Sequence, residues 1–187
     1  MEPGKIIGII ENKRILLALC LEVKKDRLHC VTDANREINL NAQRILLKSP
    51  YALNLTEPRA KLIERIKRSV EKQETLKREV CPQELWEMVK DEGGAFSLSS
   101  LSEVVFGKGS SFDHEGAVLR ALFEDRIYFK LQKDRFSPYT LFQVEQNILK
   151  TQKEIEREEV LREGSEWLRA IWDGKEVEDP TRKNEYI

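Results

Sequence analysis

Cysteine and histidine are scarce in this chain, with three Cys and two His among 187 residues. The cysteines, Cys20, Cys30 and Cys81, are odd in number and lack C-x-x-C spacing, which argues against a disulfide framework and a thiolate zinc site. His29 and His114 have no evident partner donors. His29 reads as an edge-strand residue, and His114 as an exposed polar residue in the first turn of a helix. No Gly-rich phosphate loop, H-E-x-x-H or G-x-S-x-G occurs. No apolar run approaches the ~18 residues that span a bilayer. The opening residues, Met1 to Lys5, lack the basic-then-apolar layout of a signal peptide. The chain therefore reads as cytoplasmic and reduced, with no catalytic constellation and no cofactor of its own.

Charge is plentiful but balanced: 32 basic and 33 acidic groups leave a net charge of −1. The balance hides a segmental pattern. Residues 59–78 carry eight basic and three acidic side chains, whereas residues 79–107 carry one basic and six acidic. Only the first of these is strongly basic by itself. Most carboxylates sit in alternating helical runs that read as solvated faces. The hydrophobic fraction of 40% is enough for a core.

The apolar runs Lys5–Ile10 and Ile15–Leu21 flank a turn-like Asn12-Lys13-Arg14, and shorter strand signals follow at residues 28–32, 37–40 and 44–47. The pattern predicts a small five-stranded SH3- or OB-like β-barrel over residues 1–52. No aromatic precedes Tyr51, so this barrel is a poor candidate for stacking bases. Residues 56–78 predict a connecting helix with Ile63, Ile66 and Val70 on one face. Lys61, Arg65, Arg68 and Lys72 fall on the other.

Residues 80–138 read as a winged helix-turn-helix: three helices followed by a hairpin. The first opens at Pro82, the second buries Leu98, Leu101, Val104 and Val105, and the third starts at a Ser110-x-x-Asp113 cap. A long amphipathic helix over residues 139–173, which Gly164 interrupts, and a flexible tail over residues 174–187 complete the α+β reading. Such an ending looks like that of a piece of a longer protein.

Two groups of cations are candidates for nucleic acid. The stripe Lys61, Arg65, Arg68 and Lys72 reads either as a phosphate contact or as an ordinary solvated face. In the winged segment, Arg120 on the third helix, Arg126 at the wing base, and Lys130, Lys133 and Arg135 on the wing could hold a backbone without reading bases. They read equally as incidental surface charges of a protein-binding winged helix. Sequence-specific duplex DNA binding is disfavoured, because the third helix sets Asp113, Glu115, Glu124 and Asp125 against Arg120 alone. Each acid held 4 Å from a phosphate costs about 1 kcal/mol even in water.

The run Ala117-Val118-Leu119-Arg120-Ala121-Leu122-Phe123-Glu124-Asp125-Arg126-Ile127-Tyr128-Phe129-Lys130 resembles the winged-helix part of the N-terminal region in certain bacterial ribonuclease II family proteins. The opening Gly4-Lys5-Ile6-Ile7, Leu85-Trp86, Phe106-Gly107 and the later Glu166-Trp167-Leu168-Arg169-Ala170-Ile171-Trp172 are similar in order and spacing. That family degrades RNA from the 3′ end, with an aspartate cluster holding Mg²⁺ in its catalytic domain. No such cluster occurs here. The resemblance thus implies a non-catalytic, RNA-guiding N-terminal portion, with single-stranded RNA and the catalytic domain of its own polypeptide as partners. Many members carry cold-shock domains at this end, a pattern from which this sequence departs. The competing readings are a protein-interaction module and a DNA-binding transcription regulator.

Overall fold

The computed structural model describes residues 2–173 and is a mixed α and β structure. It divides into a unit ending at Thr140 and a second beginning at Leu141. In the first unit, β1 (Lys5–Glu11) turns into β2 (Arg14–Lys24). The turn residues Asn12 and Lys13 sit at φ of 49° and 61°. Two consecutive left-handed residues give a hairpin turn that matches strand twist. The meander continues through β3 (Arg27–Thr32) and β4 (Glu37–Asn41). A 3-10 turn at Ala42–Arg44, capped by the Asn41 side chain, leads to β5 (Ile45–Ala52). This last strand returns to β1, so the antiparallel sheet runs β4-β3-β2-β1-β5. Where the β1–β5 register slips, the buried Ser49 Oγ accepts from the Ile6 N–H and donates to the Tyr51 carbonyl.

Strand residues alternate between faces, so a continuous apolar run requires burial on both sides. One face gathers Ile7, Ile9, Ala18, Cys20, Leu28, Cys30 and Leu40 into a single cluster. The alternate residues Ile6, Leu17, Leu19 and Val31 are equally buried. On their side, α1 (Arg59–Lys77) packs on β2 and β3, and α4 (Phe112–Asp125) packs on β2 and β5. His29 lies on β3, one strand in from the edge, and bonds Glu37. The sheet, the basic helix and the helical segment after it therefore pack as one compact unit.

The rest of this unit runs α2 (Pro82–Val89), β6 (Phe96–Ser97), α3 (Leu98–Phe106), α4, β7 (Phe129–Gln132) and β8 (Arg135–Pro138), with strand order β6-β8-β7. The two-residue β6 has no signal in the sequence. In α3, Val104 is exposed and Ser102 is buried in its place. The α4 cap is Ser111 rather than Ser110. Its hydroxyl accepts from the His114 N–H, while His114 Nδ1 accepts from the Ser111 N–H. The His114 ring stacks on Phe106, so this histidine is part of the helix start.

The second unit is α5 (Leu141–Trp172), which runs unbroken through Gly164. One interior glycine costs about 1 kcal/mol relative to alanine, which a helix of this length absorbs. The expected tail at residues 174–187 lies outside the described residues. Among the described residues, no helix is long and apolar enough to cross a membrane.

Candidate nucleic-acid interface

The basic stripe of α1 faces solvent, but most of its charge is already engaged. Arg65 pairs with Glu57 at 3.1 Å, Arg68 with Glu64 at 2.9 Å, and Lys72 with Asp113 at 3.1 Å. Only Lys61 of the four has no carboxylate partner among the described residues. Exposed pairs of this kind contribute about 0–1 kcal/mol each, so a phosphate could displace them, but it would compete with a carboxylate at three of the four positions. The buried face of α1 is Leu62, Ile66, Ser69 and Gln73, one position away from the expected Ile63 and Val70, which are half-buried.

Arg120 is not a surface contact, contrary to the sequence expectation. It is 6% exposed and crosses from α4 to both neighbouring elements. Its Nε donates to Gln73 Oε1 at 3.1 Å, and its Nη1 donates to the Ile15 carbonyl and to Glu74 Oε1. It therefore ties α4 to α1 and to β2. Around it, Gly116 to Leu122 are all buried, so this helix is enclosed over its middle.

The cations at the base and tip of the β7–β8 hairpin are different. Arg126, Lys130, Lys133 and Arg135 are exposed, and none has a carboxylate partner among the described residues. The nearby acids on α4 are committed elsewhere. Asp125 accepts from the Ile127 and Tyr128 N–H groups, and Glu124 pairs with Lys77. Lys133 occupies the hairpin turn at φ 57°, and Arg135 bonds the Ala95 carbonyl through one guanidinium nitrogen. Arg126 ends α4 in the left-handed conformation, and its guanidinium lies 5.0 Å from the centre of the Phe123 ring.

Two of these cations, Arg126 and Lys130, line a shallow depression together with Phe123, Leu131 and Tyr139. Phe123 and Tyr139 are half-buried. The backbone of Tyr139 is fixed on both sides: its N–H donates to the Tyr128 carbonyl at 2.9 Å, and its carbonyl accepts from Trp86 Nε1 at 2.7 Å. The grouping of Phe123 and Tyr139 with Arg126 and Lys130 carried no sequence signal, and neither did the proximity of Tyr139 to α4.

Among the described residues, no group of three or more His, Cys, Asp or Glu is placed to hold a metal ion. The donor set therefore does not fit the Mg²⁺ site that the ribonuclease II resemblance implies for a catalytic domain, and no chemical step is derived through it. Compared with protein-family models, with curated proteins and with solved structures, the chain matches none.

Proposed function

We propose that this chain is a non-catalytic, single-stranded RNA-binding module of a ribonuclease II-like 3′→5′ exoribonuclease, and that its wing holds the RNA backbone. The observation that carries this reading is the group of four exposed cations, Arg126, Lys130, Lys133 and Arg135, none of them ion-paired among the described residues even though Asp134 shares the hairpin turn, with Arg126 and Lys130 set beside Phe123 and Tyr139. Cation-lined surfaces with aromatic rings suit single strands, whose unpaired bases offer flat faces for stacking. The order α2-β6-α3-α4-β7-β8, with the small sheet running β6-β8-β7, supports the winged-helix reading. The five-stranded order, with a 3-10 turn before the final strand, supports the SH3-like reading. In this reading the barrel serves as a rigid seat for α1 and α4. A major-groove mode is disfavoured because α4 is enclosed over its middle, while Asp113, Glu115 and Glu124 lie at its ends. Hydrolysis, with its Mg²⁺, belongs to the catalytic domain of the whole protein.

The test is a fluorescence anisotropy titration against single-stranded RNA, single-stranded DNA and duplex DNA at several salt concentrations. Mg²⁺ is included, and RNA integrity is checked afterwards. RNA-preferring, salt-sensitive binding without cleavage is the expected result. No binding at low salt, or a preference for duplex DNA, contradicts the proposal. The second reading, a protein-docking module, draws on the exposed Leu161, Leu168 and Trp172 of α5. It gains if RNA fails to bind.

A further inference from the structure

The depression beside the wing has a more specific role, one that rests on the RNA-binding reading. We infer that Phe123, Arg126 and Tyr139 form a stacking subsite for one unpaired nucleobase, with the adjoining phosphate on Lys130. The depression measures about 250 Å³, below the ~300–1,000 Å³ of pockets that enclose a whole small molecule. Its size suits part of a longer ligand. Arg126 is exposed, its guanidinium lies 5.0 Å from the centre of the Phe123 ring, and its Nε donates to the Phe123 carbonyl, so the cation is held against that ring at the surface. Guanidinium planes and aromatic rings both accept stacked bases. Tyr139 also lines the depression and supplies the second wall of the proposed subsite, and the bonds to Tyr128 and Trp86 fix its backbone there. Lys130, on β7 beside this wall, is exposed and without a carboxylate, which leaves it available to a phosphate. A polyanion without bases would use the cations alone. A single strand would use both the cations and the walls.

The experiment compares two labelled probes of about twelve nucleotides, within the span of common single-strand sites. One is oligoadenylate RNA, and the other is an abasic backbone of equal length. Both are titrated by anisotropy against the full chain, Tyr139→Leu, Tyr139→Phe and Phe123→Leu, each checked by thermal melting. The subsite requires oligoadenylate to bind about five- to a hundredfold tighter than the abasic strand. Tyr139→Leu and Phe123→Leu should remove most of that difference and leave abasic binding unchanged, while Tyr139→Phe keeps it. Equal affinity for the two probes overturns the subsite and leaves the phosphate-binding reading standing. A base preference that survives both leucine variants also overturns it, because the bases then stack elsewhere. If leucine variants weaken both probes alike, the walls are structural and the subsite is overturned. If neither probe binds at low salt, the RNA reading itself fails and the subsite falls with it.

Discussion

Arg120 brings a charge into the interior, and its partners determine what that charge does. A buried guanidinium is tolerated when its donors are used, and here Gln73, Glu74 and the Ile15 carbonyl take Nε and Nη1, while the buried Nη2 has no partner among the described residues. Burial pushes the Glu74 carboxyl up, but the Lys77 hydrogen bond and the charges of Arg120 and Lys77 outweigh it and hold it below the ordinary glutamate value. The folded state therefore gains stability above the ordinary glutamate range, and loses it as pH falls through the lowered folded value. Arg120→Ala should destabilise the protein by about 2–4 kcal/mol, at or below the range for a fully buried pair because Glu74 is partly open to water. Its urea unfolding curves should also show a smaller loss of stability on acidification than those of the unaltered chain. RNA affinity of the folded variant should be unchanged. A large drop in RNA affinity without a loss of stability would return Arg120 to the surface group. The warning was present in the sequence. Arg120 sits within Ala117-Val118-Leu119 and Ala121-Leu122, apolar all round the helix, and a helix of that kind is buried on every side. Its isolation among acids made it look like a surface cation.

At the scale of elements, the strands were legible and one helix face was not. The unbroken apolar runs of β1 and β2 announce burial on both faces, and the sheet packs accordingly between its own inner cluster and two helices. The inward stripe of α1 was harder to read because two of its four members, Ser69 and Gln73, are polar. Gln73 is fully buried because it meets Arg120 and the backbone of Gly116 on α4. A Cβ added at Gly116 would come within 2.2 Å of the Gln73 side chain. That contact explains a glycine inside a helix, where alanine is otherwise preferred by about 1 kcal/mol. Gly116→Ala is therefore expected to cost about 1–3 kcal/mol in chemical denaturation, the range for overpacking. An unchanged or raised midpoint would show that α1 and α4 are not in close contact. The two-residue β6 and the placement of Tyr139 escaped sequence analysis because both depend on contacts with distant segments, Phe96 with Phe136 and Tyr139 with Trp86.

For the whole molecule, what matters is which cations remain free once the chain has folded. The sequence shows a basic segment at residues 59–78 and a weaker one at the wing, and ranks the first above the second. Folding reverses that ranking. Glu57 and Asp113, outside the segment, come back to neutralise Arg65 and Lys72, while the wing cations form no ion pair among the described residues, Asp134 between Lys133 and Arg135 included. No composition window could show this, since Asp113 reaches α1 only through the packing of α4. Salt dependence reads it directly, because each phosphate contact with a single strand contributes roughly 0.7 to the log–log slope. The decisive measurement is that slope for single-stranded RNA with three proteins: the unaltered chain, a variant with Arg126, Lys130, Lys133 and Arg135 each changed to Gln, and a variant with Lys61, Arg65, Arg68 and Lys72 each changed to Gln. The wing account predicts a slope near about −3 for the unaltered chain, from four contacts, falling toward zero in the wing variant and retained to within about one contact in the helix variant. A slope that survives in the wing variant and collapses in the helix variant would place the RNA on α1 and contradict the account.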